Sequence, residues 1–266
     1  MMKFAVIGGG VMGEAILSRL LAQSIYLPST VLVSEPRPER RSFLANQYGV
    51  EVTDDNRLVA SAETILLAVK PQILKTVAHE LMVDSSAEKP LLVSILAGVR
   101  LHHLETLFPK LPVVRAMPNT PAIIGAGVTA ISSGQSIQPH HLALTHQIFQ
   151  AVGQVLEVPE SLMDAVTGLS GSSPAFIAIV IEALTDGGVL AGLPRAIAAE
   201  LALQTVLGTA KLIQEKGIHP AVLKDQVTSP GGTTISGIQQ LERGGLRSAL
   251  MNAVKCASDR AQELGN

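Results

Sequence analysis

The apolar positions of this chain follow two patterns, one on each side of Pro159. Before it, short and nearly continuous apolar runs alternate with longer stretches of helical spacing. The runs Lys3 to Ile7, Val31 to Ser34, Thr64 to Val69, Leu91 to Ile95, Val113 to Ala116 and Gly127 to Ile131 read as strands, the most apolar of them buried on both faces. Helical spacing falls over Glu14 to Ala22, Arg40 to Tyr48, about Gln72 to Met82, Leu101 to Leu107 and Pro139 to Val152. Repeated strand–helix units predict an α/β fold with a doubly wound, mostly parallel sheet.

From Ser161 onward the pattern predicts helices only. Ser173 can cap a helix whose first residue is Pro174 and which runs to about Leu184. That helix is apolar nearly all round, so it is expected to be buried on every side. Further helices are expected from Pro194 to Lys216 with Gly217 as the stop, from Pro220, from Gly231-Gly232 to Gly244-Gly245, and from Leu246 to Leu264. The expected organisation is a nucleotide-binding domain over 1–160 and an all-helical domain over 161–266. A small helical domain holding a wholly apolar helix most readily covers it with a second copy of itself, so a dimer or larger assembly is expected.

The loop after the first strand carries the most specific chemistry. Gly8, Gly10 and Gly13 have G-x-G-x-x-G spacing, between a strand and a helix. The first glycine permits the tight turn, the second lets a pyrophosphate approach the backbone, and the third lets helix and strand pack closely. Free N–H groups at the helix start then face the negative charge. This predicts dinucleotide binding; the bland alternative is a structural glycine turn.

Composition narrows the classes. The formal net charge is −2 over 266 residues, with no long run of either sign, which argues against nucleic-acid or membrane-surface partners. Cys256 is the only cysteine, so no intrachain disulfide can form, and a small buried side chain is its default reading. The first strand begins almost at Met1, leaving no room for a secretory leader, and the run Pro174 to Ile181 is too short and too soon charged to span a membrane. A soluble, cytoplasmic protein is expected.

Several stretches together resemble pyrroline-5-carboxylate reductase. They are Ile7-Gly-Gly-Gly-Val-Met-Gly13, Ala68-Val-Lys-Pro71, Arg115-Ala-Met-Pro-Asn-Thr-Pro121, Ala165-Val-Thr-Gly-Leu-Ser-Gly-Ser-Ser-Pro174, Asp186-Gly-Gly-Val189, Gly192-Leu-Pro194, Leu223-Lys-Asp225 and Ser229-Pro-Gly-Gly-Thr-Thr234. The first two are shared with other Rossmann reductases; the Thr167 to Pro174 and Ser229 to Thr234 stretches are far more specific. Val11, Ser173 and Gln226 depart from the family's usual residues, and Val11 removes a possible hydrogen bond near the cofactor. The resemblance implies a Rossmann-type domain followed by a helical dimerisation domain, and hydride transfer from NAD(P)H to the C=N carbon of 1-pyrroline-5-carboxylate, giving L-proline without a metal. It also implies a homodimer within a higher oligomer such as a decamer, with a site shared between subunits.

The resemblance places Ile7, Gly8, Gly9, Gly10, Val11, Met12 and Gly13 at the pyrophosphate. Ser34, Arg37 and Asn56 fall on the adenosine side, and Ala68, Val69, Lys70, Pro71, Ala97 and Gly98 at strand ends beside the cofactor. Asn119 and Thr120 lie near the nicotinamide and substrate. Ser229, Pro230, Gly231, Gly232, Thr233 and Thr234 open a helix whose N–H groups can hold the substrate carboxylate. Thr234 is the catalytic candidate, as proton donor or as the hydroxyl that orients the imine. Cofactor choice is contested: Glu35 suits the ribose 2′-hydroxyl of NAD unless it points to solvent beside Pro36, whereas Ser34 and the arginines Arg37, Arg40 and Arg41 favour NADPH. NADPH is the expected cofactor, with NADH possible.

Other features read as structural. Thr167 to Ser173 lacks the second glycine of a G-x-S-x-G elbow and reads as the entry to a buried helix. His102-His103 and His140-His141 are neighbours on helices, sharing no face and having no metal-like partners, and so belong on the surface. Glu182 and Asp186 share a helix face and suit an interface. The rival readings are another Rossmann-plus-helical reductase, for which Lys211 would be the catalytic lysine in surroundings that do not match, and a silent dinucleotide-binding protein.

Overall fold

The computed structural model describes residues 2–81 and 89–265, so the predicted helix end at Met82 lies outside the described residues. The strands are β1 (Phe4–Ile7), β2 (Val31–Ser34), β3 (Glu51–Thr53), β4 (Thr64–Leu67), β5 (Leu91–Ser94), β6 (Val113–Met117), β7 (Gly127–Ser133) and β8 (Gly153–Glu157). They form one sheet in the order β3-β2-β1-β4-β5-β6-β7-β8. All pairs are parallel except β6 with β7. The register aligns Ser34, Ile7, Leu67, Ser94 and Arg115 in one row, so the chain leaves β1, β2, β4 and β5 along a common carboxyl edge.

Alternation along the strands sends side chains to two cores. Phe4, Val6, Val31, Val33, Leu66 and Val93 pack with Ile16, Leu17 and Leu20 of α1 (Val11–Ala22), Leu44 of α2 (Pro38–Tyr48), and Ile148 and Phe149 of α5 (Pro139–Gln150). Ala5, Ile7, Leu32, Ile65, Leu67 and Leu92 face the other way, onto Leu74 and Val77 of α3 (Leu74–Glu80) and Leu101 and Leu104 of α4 (Leu101–Leu107). Each fully buried Leu, Ile or Phe contributes about 1.5–3 kcal/mol of transfer free energy. These two layers are what the continuous apolar runs require.

The chain divides into two compact units, residues 1–172 with 256–266, and residues 173–255. In the first, Thr167–Gly171 forms a π-helical turn directly after α6 (Met163–Val166). Ser173 therefore caps nothing. The helical run is already under way from Glu160, and Ser173 opens its continuation α7 (Ser173–Leu190), with Pro174 inside it. The second unit holds all of α7, α8 (Arg195–Lys216), α9 (Pro220–Gln226) and α10 (Thr233–Arg243), and the start of α11 (Leu246–Leu264). Gly188 brings α7 close to α8, since a Cβ there would lie 2.9 Å from the Ala198 Cβ. Gly217 ends α8 in the left-handed region at φ 60°.

Burial of α7 on every side is corrected. In the single chain Ile179 is 63% exposed and Leu190 91% exposed. The helices Glu160–Leu190 and Arg195–Lys216 are both long and apolar enough to cross a membrane, which the span judged from Pro174 to Ile181 alone did not anticipate. Cys256 is exposed rather than buried. Strands β3 and β8 were not expected: β3 has three residues on the sheet edge, and β8 sets Val155 and Leu156 side by side between Gln154 and Glu157, which shows no period of two.

Candidate active site: the carboxyl edge and the two glycine loops

Strand order reverses between β1 and β4, the point at which open α/β sheets bind ligands. The backbone there is drawn tight. Gly8 N–H donates to Ser34 O at 2.8 Å and Ala68 N–H to Ile7 O at 2.8 Å. Gly8 has φ +100°, and a Cβ on it would lie 2.6 Å from Ala68 O. A Cβ on Gly13 would lie 2.3 Å from Gly8 O, so only glycine lets α1 pack onto the loop. Gly10 is different: a Cβ there meets nothing within 4 Å. It is the N-cap of α1 and makes no side-chain cap, so the first-turn N–H groups of Val11, Met12 and Gly13 receive no bond from it. This fits a pyrophosphate on the helix dipole.

The middle of the loop is gripped from both sides. Glu35, 4% exposed, accepts the Gly9 N–H on Oε2 at 3.0 Å. Arg40 Nε donates to Gly9 O at 2.6 Å. Arg40 also pairs with Glu14, whose other oxygen accepts the Tyr48 hydroxyl at 2.6 Å. Burial and the Glu14 carboxylate push the Tyr48 hydroxyl up to about 12. Glu35 Oε1 takes the Arg37 side chain at 2.7 Å and its N–H at 3.2 Å. Burial works to raise the Glu35 pKa, but the bonds from Arg37 and Gly9 outweigh it and hold the carboxyl below its ordinary value. Glu35 thus turns inward to the glycine loop, and the solvent-facing alternative beside Pro36 is corrected.

The adenosine-side candidates lie together. Ser34 Oγ donates to Asn56 Oδ1 at 2.6 Å, and Asn56 Nδ2 donates to Glu80 at 2.6 Å. Of the three arginines, Arg41 is held by Asp54 at 3.1 Å and by the Glu35 and Pro36 carbonyls, while the Arg37 side chain remains 63% exposed. Ala68, Val69, Lys70 and Pro71 follow β4, and Ala97 and Gly98 follow β5, on the same carboxyl edge. Gly98 has φ +77°, and a Cβ on it would come within 3.4 Å of the Gly265 backbone N.

Asn119 and Thr120 open the loop between β6 and β7, and the Asn119 amide bonds to Val128 N–H and to Ser170 O. Arg115 opens the Arg115 to Pro121 stretch, but no role was read for it from the sequence. Its side chain is 4% exposed on β6 and paired with Glu160 at 3.0 Å and Asp164 at 3.5 Å. The signal for it was an arginine inside an apolar strand run, which demands a partner. The other histidine and acid pairs are local: His141 Nδ1 accepts the Gln138 N–H at 3.1 Å as part of a capping box, and Asp186 pairs with Arg195.

In the second unit, Ser229 to Gly232 turn into α10, with Gly232 N–H donating to Ser229 O at 3.1 Å and Gly231 at φ +66°. A Cβ on Gly232 would lie 2.4 Å from Ser229 Oγ. Gly232 is the N-cap and brings no side-chain cap, so the N–H groups of Thr233, Thr234 and Ile235 start α10 uncapped by its side chain, with Thr234 exposed.

Known proteins match this chain along its whole length. The family model for pyrroline-5-carboxylate reductase dimerisation matches residues 160–264, and that for NADP oxidoreductase, coenzyme F420-dependent, matches residues 3–98. A pyrroline-5-carboxylate reductase of Synechocystis sp. is 56% identical, over 99% of this chain and 98% of the relative. The structure of a pyrroline-5-carboxylate reductase from Coxiella burnetii superposes with a TM-score of 0.92 at 36% identity, over 100% of this chain and 99% of the other. The Plasmodium falciparum pyrroline carboxylate reductase, solved with NADP bound, gives 0.90 at 29% identity, over 100% and 98%. The chain belongs to the pyrroline-5-carboxylate reductase family.

Proposed function

We propose that this chain reduces 1-pyrroline-5-carboxylate to L-proline with NADPH, or NADH, as the last step of proline biosynthesis. The observation that carries the reading is the occurrence in one chain of two helix starts without side-chain caps, each behind its own glycine turn, at α1 and at α10. One suits a dinucleotide pyrophosphate and the other a small carboxylate. When bound, the reduced nicotinamide supplies the hydride.

The chain's own groups supply the rest. Gly8, Gly9, Gly10, Val11, Met12 and Gly13 hold the pyrophosphate after Ile7. Ser34, Arg37 and Asn56 hold the adenosine end, and Ala68 to Pro71 with Ala97 and Gly98 line the approach to the nicotinamide. Ser229, Pro230, Gly231, Gly232 and Thr233 cradle the substrate carboxylate, and Asn119 and Thr120 bound the substrate side. Thr234 places its hydroxyl at the imine nitrogen. An unaided threonine hydroxyl is a weak acid, so its work is orientation, with the proton drawn through it from water.

The exposed apolar faces of α7 and α8 are, in this reading, covered by a second copy of the chain rather than by lipid. The match to a dimerisation family over 160–264 supports this, and dimers assemble further, as in a decamer. These two roles are assigned to residues 1–160 and 161–266, with the site shared between subunits. The protein works in the cytoplasm, without nucleic acid or membrane. The test is NADPH or NADH oxidation by the purified chain with 1-pyrroline-5-carboxylate, beside its mass by sedimentation. A monomer would overturn the assembly, and absence of oxidation the activity.

A further inference from the structure

The amide of Asn119 is spent on the protein itself. Its Oδ1 accepts the Val128 N–H at 2.9 Å and its Nδ2 donates to the Ser170 carbonyl at 3.2 Å. These partners fix the orientation of the amide, because an N–H needs the oxygen and a carbonyl needs the NH₂ group. The Asn119 carbonyl also accepts the Ala122 N–H at 3.0 Å. One residue thus ties the end of β6, the start of β7 and the π turn together.

Ser170 needs that donor for a reason written in the sequence. An α-helical partner for its carbonyl would be the N–H of residue 174, and residue 174 is proline. Proline has no N–H, and its ring crowds the carbonyl four residues back. The backbone answers with a π turn, in which the Ser172 N–H closes on Thr167 O at 2.9 Å. The hydroxyls of Thr167, Ser170 and Ser172 donate to Met163 O, Val166 O and Thr167 O, so none of them serves the Ser170 carbonyl. A second contact backs the first: a Cβ on Gly171 would lie 2.7 Å from the Met117 Cε, so that methyl rests on the glycine.

We propose that Asn119 is a positioning residue: its amide supplies Ser170 with the hydrogen bond that Pro174 cannot, and so locks the π turn to the loop at the carboxyl end of β6. π turns recur at functional sites, and this edge is where an open α/β sheet presents its ligands. Asn119 acts through the turn and through the Thr120 loop, which it holds on the substrate side. The inference rests on the reductase reading above, which wild-type turnover tests separately.

The experiment compares Asn119→Asp, Pro174→Ala and the double variant with wild type. Asn119→Asp keeps the acceptor for Val128 and removes the donor for Ser170; Pro174→Ala restores a backbone N–H at the position that serves that carbonyl. Asn119→Asp is expected to lower kcat about tenfold, with the NADPH dissociation constant and the urea midpoint near wild type. The double variant is expected to recover most of that loss. Wild-type kcat in Asn119→Asp, or a double variant as impaired as the single, would overturn the proposal.

Discussion

The Glu35 carboxylate accepts the backbone N–H of Gly9 at 3.0 Å, across 26 positions of sequence. An acid at the end of the second strand is therefore anchored to the glycine loop, the position from which such an acid meets the ribose in dinucleotide-binding folds. Its charge opposes a 2′-phosphate, while Ser34 and the exposed Arg37 favour one. Glu35→Gln keeps an oxygen for Gly9 and removes the charge. The ratio of kcat/KM for NADPH over NADH is expected to rise about tenfold, equivalent to about 1.4 kcal/mol. Two cofactor titrations check it, and an unchanged ratio would remove Glu35 from cofactor choice.

The same carboxylate sets an acid limit on stability. Glu35 and Glu14 are both held below the ordinary value of 4.5, burial being outweighed by bonds from Arg37 and Gly9 in one case and from Tyr48 and Arg40 in the other. A lowered folded-state pKa stabilises above the unfolded value and is lost as pH falls through the folded one. Urea midpoints are therefore expected to hold from pH 7 to about 5 and to fall below about 4.5, with a smaller fall in Glu35→Gln. A fall of wild-type size in that variant would contradict the assignment.

Gly10 and Gly13 separate binding from packing. Alanine at 13 would drive its Cβ to 2.3 Å from Gly8 O, and is expected to cost about 1–3 kcal/mol of stability. Alanine at 10 meets nothing within 4 Å and is expected to leave stability within about 0.5 kcal/mol. It should nevertheless weaken NADPH binding about tenfold or more, because the methyl stands where the pyrophosphate approaches. Fluorescence titration beside urea melts would read both. NADPH affinity unchanged in Gly10→Ala would place the pyrophosphate elsewhere.

Much of this was legible in the sequence wherever local pattern and tertiary role coincide. The boundaries of β2, α4 and α11 follow from an apolar run or from flanking glycine. The glycine loop was legible because each glycine answers a separate steric demand. What escaped depended on long-range partners. Glu35 reads either as a partner of the ribose or as a solvent-facing residue beside Pro36, and only the folded contact with Gly9 decides. Pro174 reads as a helix start because its effect on Ser170 is hidden without Asn119, 51 positions from Ser170. Ile179 belongs to an apolar pattern that reads as buried, yet it is 63% exposed in the single chain.

Thr234 stands in the first turn of α10, exposed to solvent in the single chain. Thr234→Ala removes only a hydroxyl and a methyl from a surface helix start, so the fold should be undisturbed. Turnover is expected to fall about 10²-fold or more, while NADPH binding stays within about twofold. Steady-state kinetics with a cofactor titration would show this; full turnover in the variant would take Thr234 out of the reaction.

The most direct measurement is product stoichiometry: the purified chain, 1-pyrroline-5-carboxylate and NADPH, with cofactor oxidation followed optically and proline quantified. One proline is expected for each NADPH oxidised, with both signals falling together in Thr234→Ala. Cofactor bound without oxidation, or oxidised without proline, would contradict it.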